Sequence, residues 1–201
     1  KRNLDGEKIV AGKLCFSGDC ISVAERVSEN YSISVSDDGF PVEIKISDSK
    51  KTTYIDALSR LSDEKYFITA EKDKIIIEAA TKRGVFRAVN TFAKLIVKDE
   101  LREGTLEDYP LFAKRGYIEG FYGNTWENGK RVSVMKLMAA NGMNTFFYAP
   151  KDDLYHREKW RELYPDNSLS KLRELADTAK EYYMDFYWCI APGLSMKYSD
   201  K

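Results

Sequence analysis

The chain has 201 residues, 43% hydrophobic and 13% aromatic, enough apolar material for one large core or two modest ones. Lys+Arg and Asp+Glu balance at 32 each, so the formal net charge is +0 and no global field draws the chain onto nucleic acid or an anionic membrane. Three sparse cysteines (Cys15, Cys20, Cys189) and a single histidine exclude a disulfide framework and give no zinc-ligand spacing, and no apolar run reaches membrane-span length.

The opening "KRNLDGEKIVAGK" has neither a Met nor an apolar core of a signal peptide, as expected of a processed or trimmed start. "IVAGKLCF" then predicts a strand, with a turn at Gly18-Asp19; a Cys15–Cys20 link is permitted by spacing, but buried or free thiols suit so sparse a set. "VAERVSENY" predicts a helix, "YSISVS" alternates as a strand, Asp37–Gly39 is a turn, and "FPVEIKIS" alternates again. After a polar break from Ser47 to Lys51, Ile55, Leu58 and Leu61 recur at helical spacing.

"KYFITAEKDKIIIEAA" places two alternating apolar runs around "EKDK", which predicts a β-hairpin. "TKRGVFRAVNTFAKLIV" follows, with Val85, Phe86, Val89, Phe92, Ala93 and Ile96 on one helical face and Thr81 as its cap. Two strands and one amphipathic helix make an α+β module without a catalytic constellation. The charged stretch Lys98–Arg115, broken by Gly104 and Pro110, reads as a linker, so residues 1–111 form an N-terminal α+β domain with that linker.

From residue 112 to 201 the pattern becomes strand, helix, strand, helix, strand. "RGYIEGFYG" is a short strand running into a Gly-rich turn. "NGKRVSVMKLMAANG" puts Val132, Met135, Leu137 and Met138 at helical spacing and stops at Asn141-Gly142. "MNTFFYA" is the second strand, "SLSKLRELADTAKEYY" a helix capped by Ser168 or Ser170, and "MDFYWCIAPG" a third strand, buried by composition. Alternating β and α elements predict a parallel sheet, either a (β/α)₈ barrel or an open doubly wound sheet. Both place chemistry beyond the C-terminal strand ends, where "EGFYG", "APKDD" and "APGLS" fall here as three rims of one site. "EGFYGNTW" lacks the G-x-G-x-x-G of a dinucleotide site, which favours the barrel. A closed barrel needs roughly 200 residues or more, so 112–201 is expected to be its first three strands, truncated.

Asp152 and Asp153 sit side by side after Ala149-Pro150 and could be a catalytic pair; the ordinary role of Asp at such a place is to cap a turn or helix. His156 could be an acid or base, but has no partner at catalytic spacing and is expected to be a hydrogen-bonding scaffold. Glu119 could pass for a general acid; Trp126, Trp160 and Trp188 could stack on sugars, although tryptophans mostly fill cores and interfaces.

"RGYIEGFYGNTW", "MNTFFYAPKDDLYHREKWRELYP" and "WCIAPGLSMKYS" together resemble glycoside hydrolase family 84, the β-N-acetylglucosaminidases related to protein O-GlcNAcase and to enzymes once called hyaluronidases. The resemblance covers about residues 110–201, and the hairpin–helix unit before it looks like the small α+β domain preceding the barrel in bacterial members. It implies a (β/α)₈ TIM-barrel catalytic domain, no metal or organic cofactor, and a retaining, substrate-assisted mechanism. In that mechanism the 2-acetamido oxygen of the sugar attacks the anomeric carbon to give an oxazoline, one Asp orients the acetamido group, and a second acts as acid and then base. Gly120 matches the family glycine whose carbonyl meets a sugar hydroxyl, and Lys151 the lysine that hydrogen-bonds the sugar; Tyr122 and Asp153 lie in the same motifs and are placed near the sugar. Glu119 carries no family chemistry and is left a structural hydrogen bond or salt bridge. The family's catalytic Asp pair follows the fourth strand, so it is expected downstream of Lys201 and the chain alone is expected to be inactive. Thr125 stands where many members have proline, and Ser195 lies near a position that is often acidic.

The expected partner is a GlcNAc-terminated glycan or glycoprotein, with no nucleic acid and no membrane, and the resemblance suggests a secreted, extracellular setting. The rival is a non-enzymatic carbohydrate-binding or adaptor module.

Overall fold

A computed structural model describes residues 1–47 and 63–194. The helical spacing at Ile55, Leu58 and Leu61, and Ser195, lie outside the described residues. The chain divides into two units, Lys1–Ala113 and Lys114–Lys201.

In the first unit the elements run β1 (Arg2–Asn3), β2 (Lys8–Val10), β3 (Lys13–Gly18), α1 (Ile21–Asn30), β4 (Ser34–Val35), β5 (Phe40–Ile46), β6 (Tyr66–Glu71), β7 (Lys74–Ala79), α2 (Lys82–Leu95), β8 (Glu100–Arg102) and β9 (Gly104–Asp108). Among the described residues seven strands form one sheet in the order β1-β9-β6-β7-β5-β3-β4, and β2 pairs with β8. The expected hairpin is β6 and β7, paired antiparallel from Tyr66↔Ala79 to Glu71↔Lys74 around a two-residue turn. Parallel pairing then adds β5 and β3. Period-2 alternation sends Val42, Ile44, Ile68, Ile75 and Ile77 into the core. Helix α2 lays Val85, Phe86, Val89 and Phe92 on these strands, each such side chain contributing about 1.5–3 kcal/mol by leaving water. Its first turn is capped by Thr81, whose Oγ1 accepts from the Gly84 amide at 3.1 Å. Helix α1 packs beside α2.

Three expectations are corrected here. "IVAGKLCF" is two strands, β2 and β3, because Ala11 turns to donate its N–H to the Asp99 carbonyl at 2.7 Å. "YSISVS" yields only Ser34–Val35, since Tyr31 and Ser32 finish the helix, with Ser32 at a φ of 56°. The stretch read as a linker holds β8 and β9, and β9 is a full member of the sheet. Lys98 and Asp99 both adopt positive φ (53° and 61°), the backbone of a tight hairpin turn, without the Asn-Gly signature that announces one.

The second unit contains β10 (Gly116–Glu119), α3 (Asn128–Ala140), β11 (Thr145–Tyr148), α4 (Asp166–Glu181) and β12 (Asp185–Trp188). The strands are parallel in the order β10-β11-β12, with Glu119 beside Tyr148 and Tyr148 beside Trp188. Helices α3 and α4 pack on each other, so both crossovers return over one side of the sheet. That side buries Glu119, Phe146 and Tyr148; on the other, Ile118 stays 59% exposed beside the stacked rings of Phe147 and Tyr187. The unit is α/β, and β10 and β12 do not pair to close a barrel.

Helix α4 begins at Asp166, with Pro165 at its N-cap; Ser168 and Ser170 sit inside it, so neither is the cap. Leu137 is exposed, because two residues from Met135 on a helix is the opposite face. The third strand is not buried as expected: among the described residues it pairs with β11 alone, and Trp188 is 42% exposed. No helix among the described residues is long and apolar enough to cross a membrane.

Candidate active site

The ladder continues past the C-terminal ends of β10, β11 and β12. The Ala149 amide donates to the Glu119 carbonyl at 3.1 Å, Lys151 to Phe121 at 3.2 Å, and Cys189 to Tyr148 at 3.1 Å. The Gly120–Phe121 segment therefore lies alongside Ala149–Lys151, which brings together two of the residues singled out from sequence. Gly120 is in a tight turn, its amide donating to the Ile118 carbonyl at 2.9 Å, and its own carbonyl accepts no hydrogen bond among the described residues. A Cβ there would meet only the Ile118 Cγ2, at 3.2 Å, so the rest of its surroundings are open. Its φ is not positive; openness rather than backbone conformation distinguishes this glycine.

Lys151 is half-buried, and its ammonium has no hydrogen-bond or ion-pair partner among the described residues. Its carbonyl accepts from Arg157 Nη1 at 3.3 Å, and the same guanidinium lies 5.7 Å from the centre of the Tyr122 ring. Tyr122 is 72% exposed on the first rim.

The two adjacent carboxylates separate. Asp152 is exposed. Asp153 turns inward: Oδ2 accepts from the Tyr148 hydroxyl at 2.7 Å and the Tyr164 hydroxyl at 2.9 Å, and Oδ1 from the Tyr155 amide at 2.9 Å, capping the short 3₁₀ turn Leu154–His156. Trp188 Nε1 donates to the Tyr164 hydroxyl at 3.0 Å, adding the third strand. Burial first, then the Asp153 hydrogen bond and charge, push the Tyr148 phenol far above the usual tyrosine range. Burial does the same for Tyr164, with Asp153 adding to it and the Trp188 hydrogen bond opposing. Both phenols are thus held as donors.

Glu119 is fully buried and gripped by Arg131 of α3, Nε to Oε2 at 2.7 Å and Nη2 to Oε1 at 2.8 Å, with the Trp126 amide 3.4 Å from Oε1. A carboxylate whose two oxygens are both so committed is a structural ion pair. Arg131 also lies 5.0 Å from the centre of the Tyr148 ring. His156 is buried; Nδ1 donates to the Cys189 carbonyl at 2.6 Å, tying the second rim to the third, and Nε2 has no partner among the described residues. Trp126 stacks on Tyr117 at 5.6 Å and 5°, and Arg161 lies over Trp160 at 4.0 Å. Cys15, Cys20 and Cys189 are free thiols, and no cluster of three or more His, Cys, Asp or Glu fit to hold a metal occurs among the described residues. Sequence reasoning missed Arg131, Tyr148, Tyr164 and Arg157. Arg131 falls on a helix face otherwise defined by apolar spacing, and the two tyrosines read simply as aromatic core.

Residues 8–109 match the family described as glycosyl hydrolase family 20, domain 2, and residues 115–201 the family described as beta-N-acetylglucosaminidase. Protein O-GlcNAcase of Rattus norvegicus is 39% identical over 85 residues, 42% of this chain and 9% of that protein, and the Mus musculus protein matches equally. The solved structure of CpGH84B superposes with a TM-score of 0.79 at 30% identity, over 99% of this chain and 37% of that one. Along its length this chain is similar to glycoside hydrolase family 84 proteins. CpGH84D, at a TM-score of 0.73 and 23% identity over 99% of this chain and 38% of that one, shares the fold. The chain thus spans under two-fifths of these family 84 structures and about a tenth of the curated relatives it matches.

Proposed function

We propose that the full-length protein is a retaining β-N-acetylglucosaminidase that removes terminal β-linked GlcNAc from glycans or glycoproteins by substrate-assisted catalysis. The observation that carries this reading is the adjacency of Gly120 and Lys151 on neighbouring strand ends, inside the residues matched to the beta-N-acetylglucosaminidase family. Lys151 offers an unpartnered ammonium with three rotatable donors, and Gly120 an open carbonyl acceptor, together suited to a sugar hydroxyl pair. Tyr122 lines the same rim. Asp153 stands beside the sugar-holding loop and acts on it from behind. The reaction needs two further carboxylates, which we assign to a fourth strand end that these 201 residues do not include. The parallel strands with both helices on one side are read as the opening part of a (β/α)₈ barrel whose later strands cover the open face at Ile118 and Tyr187. The residues 1–111 domain, with β8 and β9 built into it, accompanies that barrel. An extracellular setting belongs to the proposal on the family resemblance alone.

The test is turnover of an aryl β-N-acetylglucosaminide by the full-length protein. Release of the aryl group with retention at the anomeric carbon supports the reading; no turnover, or turnover only of an unrelated glycoside, overturns it.

A further inference from the structure

We propose that Asp153 is a positioning residue for the sugar site: its carboxylate fixes the turn that aims Lys151. The inference deepens the reading above and rests on it. The Asp153 amide donates to the Pro150 carbonyl at 3.2 Å, closing a turn in which Lys151 is the second residue. Among the described residues no hydrogen bond or ion pair fixes the Lys151 ammonium, so its direction comes from its backbone. The turn is fixed at its far end, where the Asp153 carboxylate takes three hydrogen bonds from three places. Tyr148 belongs to the end of β11, Tyr155 to the 3₁₀ turn, and Tyr164 to the approach to α4. Trp188 adds the end of β12 through the Tyr164 hydroxyl. Three of about four acceptor positions are filled, all of them inward, so the carboxylate has little left for a ligand.

The same chain of contacts continues to the first rim. Tyr148 carries Arg131 on its ring, and Arg131 holds Glu119, the residue before Gly120. Each proposed sugar contact thus lies one or two residues from a carboxylate bonded into the fold. Arg157 adds a lighter tie, from the Lys151 carbonyl to the Tyr122 ring. The rims are held as one piece by groups beneath them, which preorganises a site before any sugar arrives.

The experiment is a double-mutant cycle in the full-length protein between Tyr164→Phe, which removes one donor to Asp153 and leaves the ring, and Lys151→Ala. Tyr164→Phe should raise KM for an aryl β-N-acetylglucosaminide about tenfold with kcat little changed, as expected for a misplaced binding group. In the Lys151→Ala background the same change should have almost no further effect, because Asp153 acts through Lys151. Asp153→Asn, which keeps one acceptor oxygen, should fall between wild type and Asp153→Ala. Affinity for N-acetylglucosamine, measured by calorimetry on the same proteins, gives the cycle without turnover. Additive losses would make the role a general structural one and overturn the proposal. A raised KM in Asp153→Ala with none in Tyr164→Phe would make Asp153 a direct sugar contact and also overturn it. Loss of turnover in the wild type strikes the proposed function instead, and is read separately from both.

Discussion

Arg131 grips Glu119 with two parallel hydrogen bonds, 2.7 and 2.8 Å, at a place where the carboxylate has no exposure to solvent. Burial alone would lower the Arg131 pKa, but the hydrogen bonds and charge of Glu119 outweigh it and raise it, so the guanidinium keeps its charge. Removing one partner strands a buried charge. Glu119→Ala or Arg131→Ala should each destabilise the second unit by about 3–5 kcal/mol in denaturant unfolding. The double variant Glu119→Gln/Arg131→Met should cost clearly less than the sum, since it leaves no unpaired charge. Additive losses would refute the pairing.

Lys151 has the opposite profile, a half-buried ammonium whose loss strands nothing. Lys151→Ala in the full-length protein should leave the thermal midpoint nearly unchanged. Its kcat/KM on the aryl substrate should fall roughly 10- to 100-fold, the worth of one charge-assisted hydrogen bond. Unchanged kcat/KM would remove Lys151 from the sugar site.

Gly116 lies opposite Thr145 at the start of the β10–β11 ladder. A Cβ added there would stand 1.9 Å from the Thr145 carbonyl oxygen, which is backbone and cannot swing aside. Gly116→Ala should break the first register pair, Gly116↔Thr145, and yield protein that aggregates or melts well below wild type. A wild-type melt would show that β10 can shift without penalty.

Tyr66, Tyr148 and Tyr164 all have phenols displaced upward, in each case first by burial. Tyr66 adds hydrogen bonds with Thr91 and Asp108. A raised folded pKa means that the unfolded chain releases the proton first. The stability these groups contribute is therefore complete below the ordinary tyrosine pKa of about 10, and is lost as pH rises beyond it. Alkaline titration of phenolate absorbance should show a late fraction that ionises together with unfolding, and the denaturant midpoint should fall over the same range. Ionisation of every tyrosine before unfolding would contradict the buried hydrogen bonds.

The legible part of this molecule was the part encoded locally. The β6–β7 hairpin, the Thr81 cap and the apolar face of α2 all lie within a few residues of the groups that stabilise them. The β–α alternation and the strand-end motifs "EGFYG" and "APKDD" were readable for the same reason. What escaped depends on distant partners. Glu100–Asp108 carries too many charges to look like strands, and becomes strand because β2, β6 and β1 offer hydrogen-bonding edges from far along the chain. Asp153 and Asp152 are alike in sequence; only the fold, by bringing Tyr148 and Tyr164 to one of them, divides anchor from surface. Trp188 looked like core and is not, because burial of a strand is decided by its neighbours and not by its composition.

The pairing of β1 with β9 has a consequence for how the first unit is made. Arg2 lies opposite Leu106, and the Lys1 amino group donates to the Glu107 carbonyl at 2.6 Å. The hairpin and α2 can form as soon as they are synthesised, but the edge of the sheet waits until residue 108 has emerged, and only then is the β1 segment captured. The β1 segment is among the last to find its place, and the chain enters and leaves this sheet on adjacent strands, like a bead whose string passes in and out through one hole.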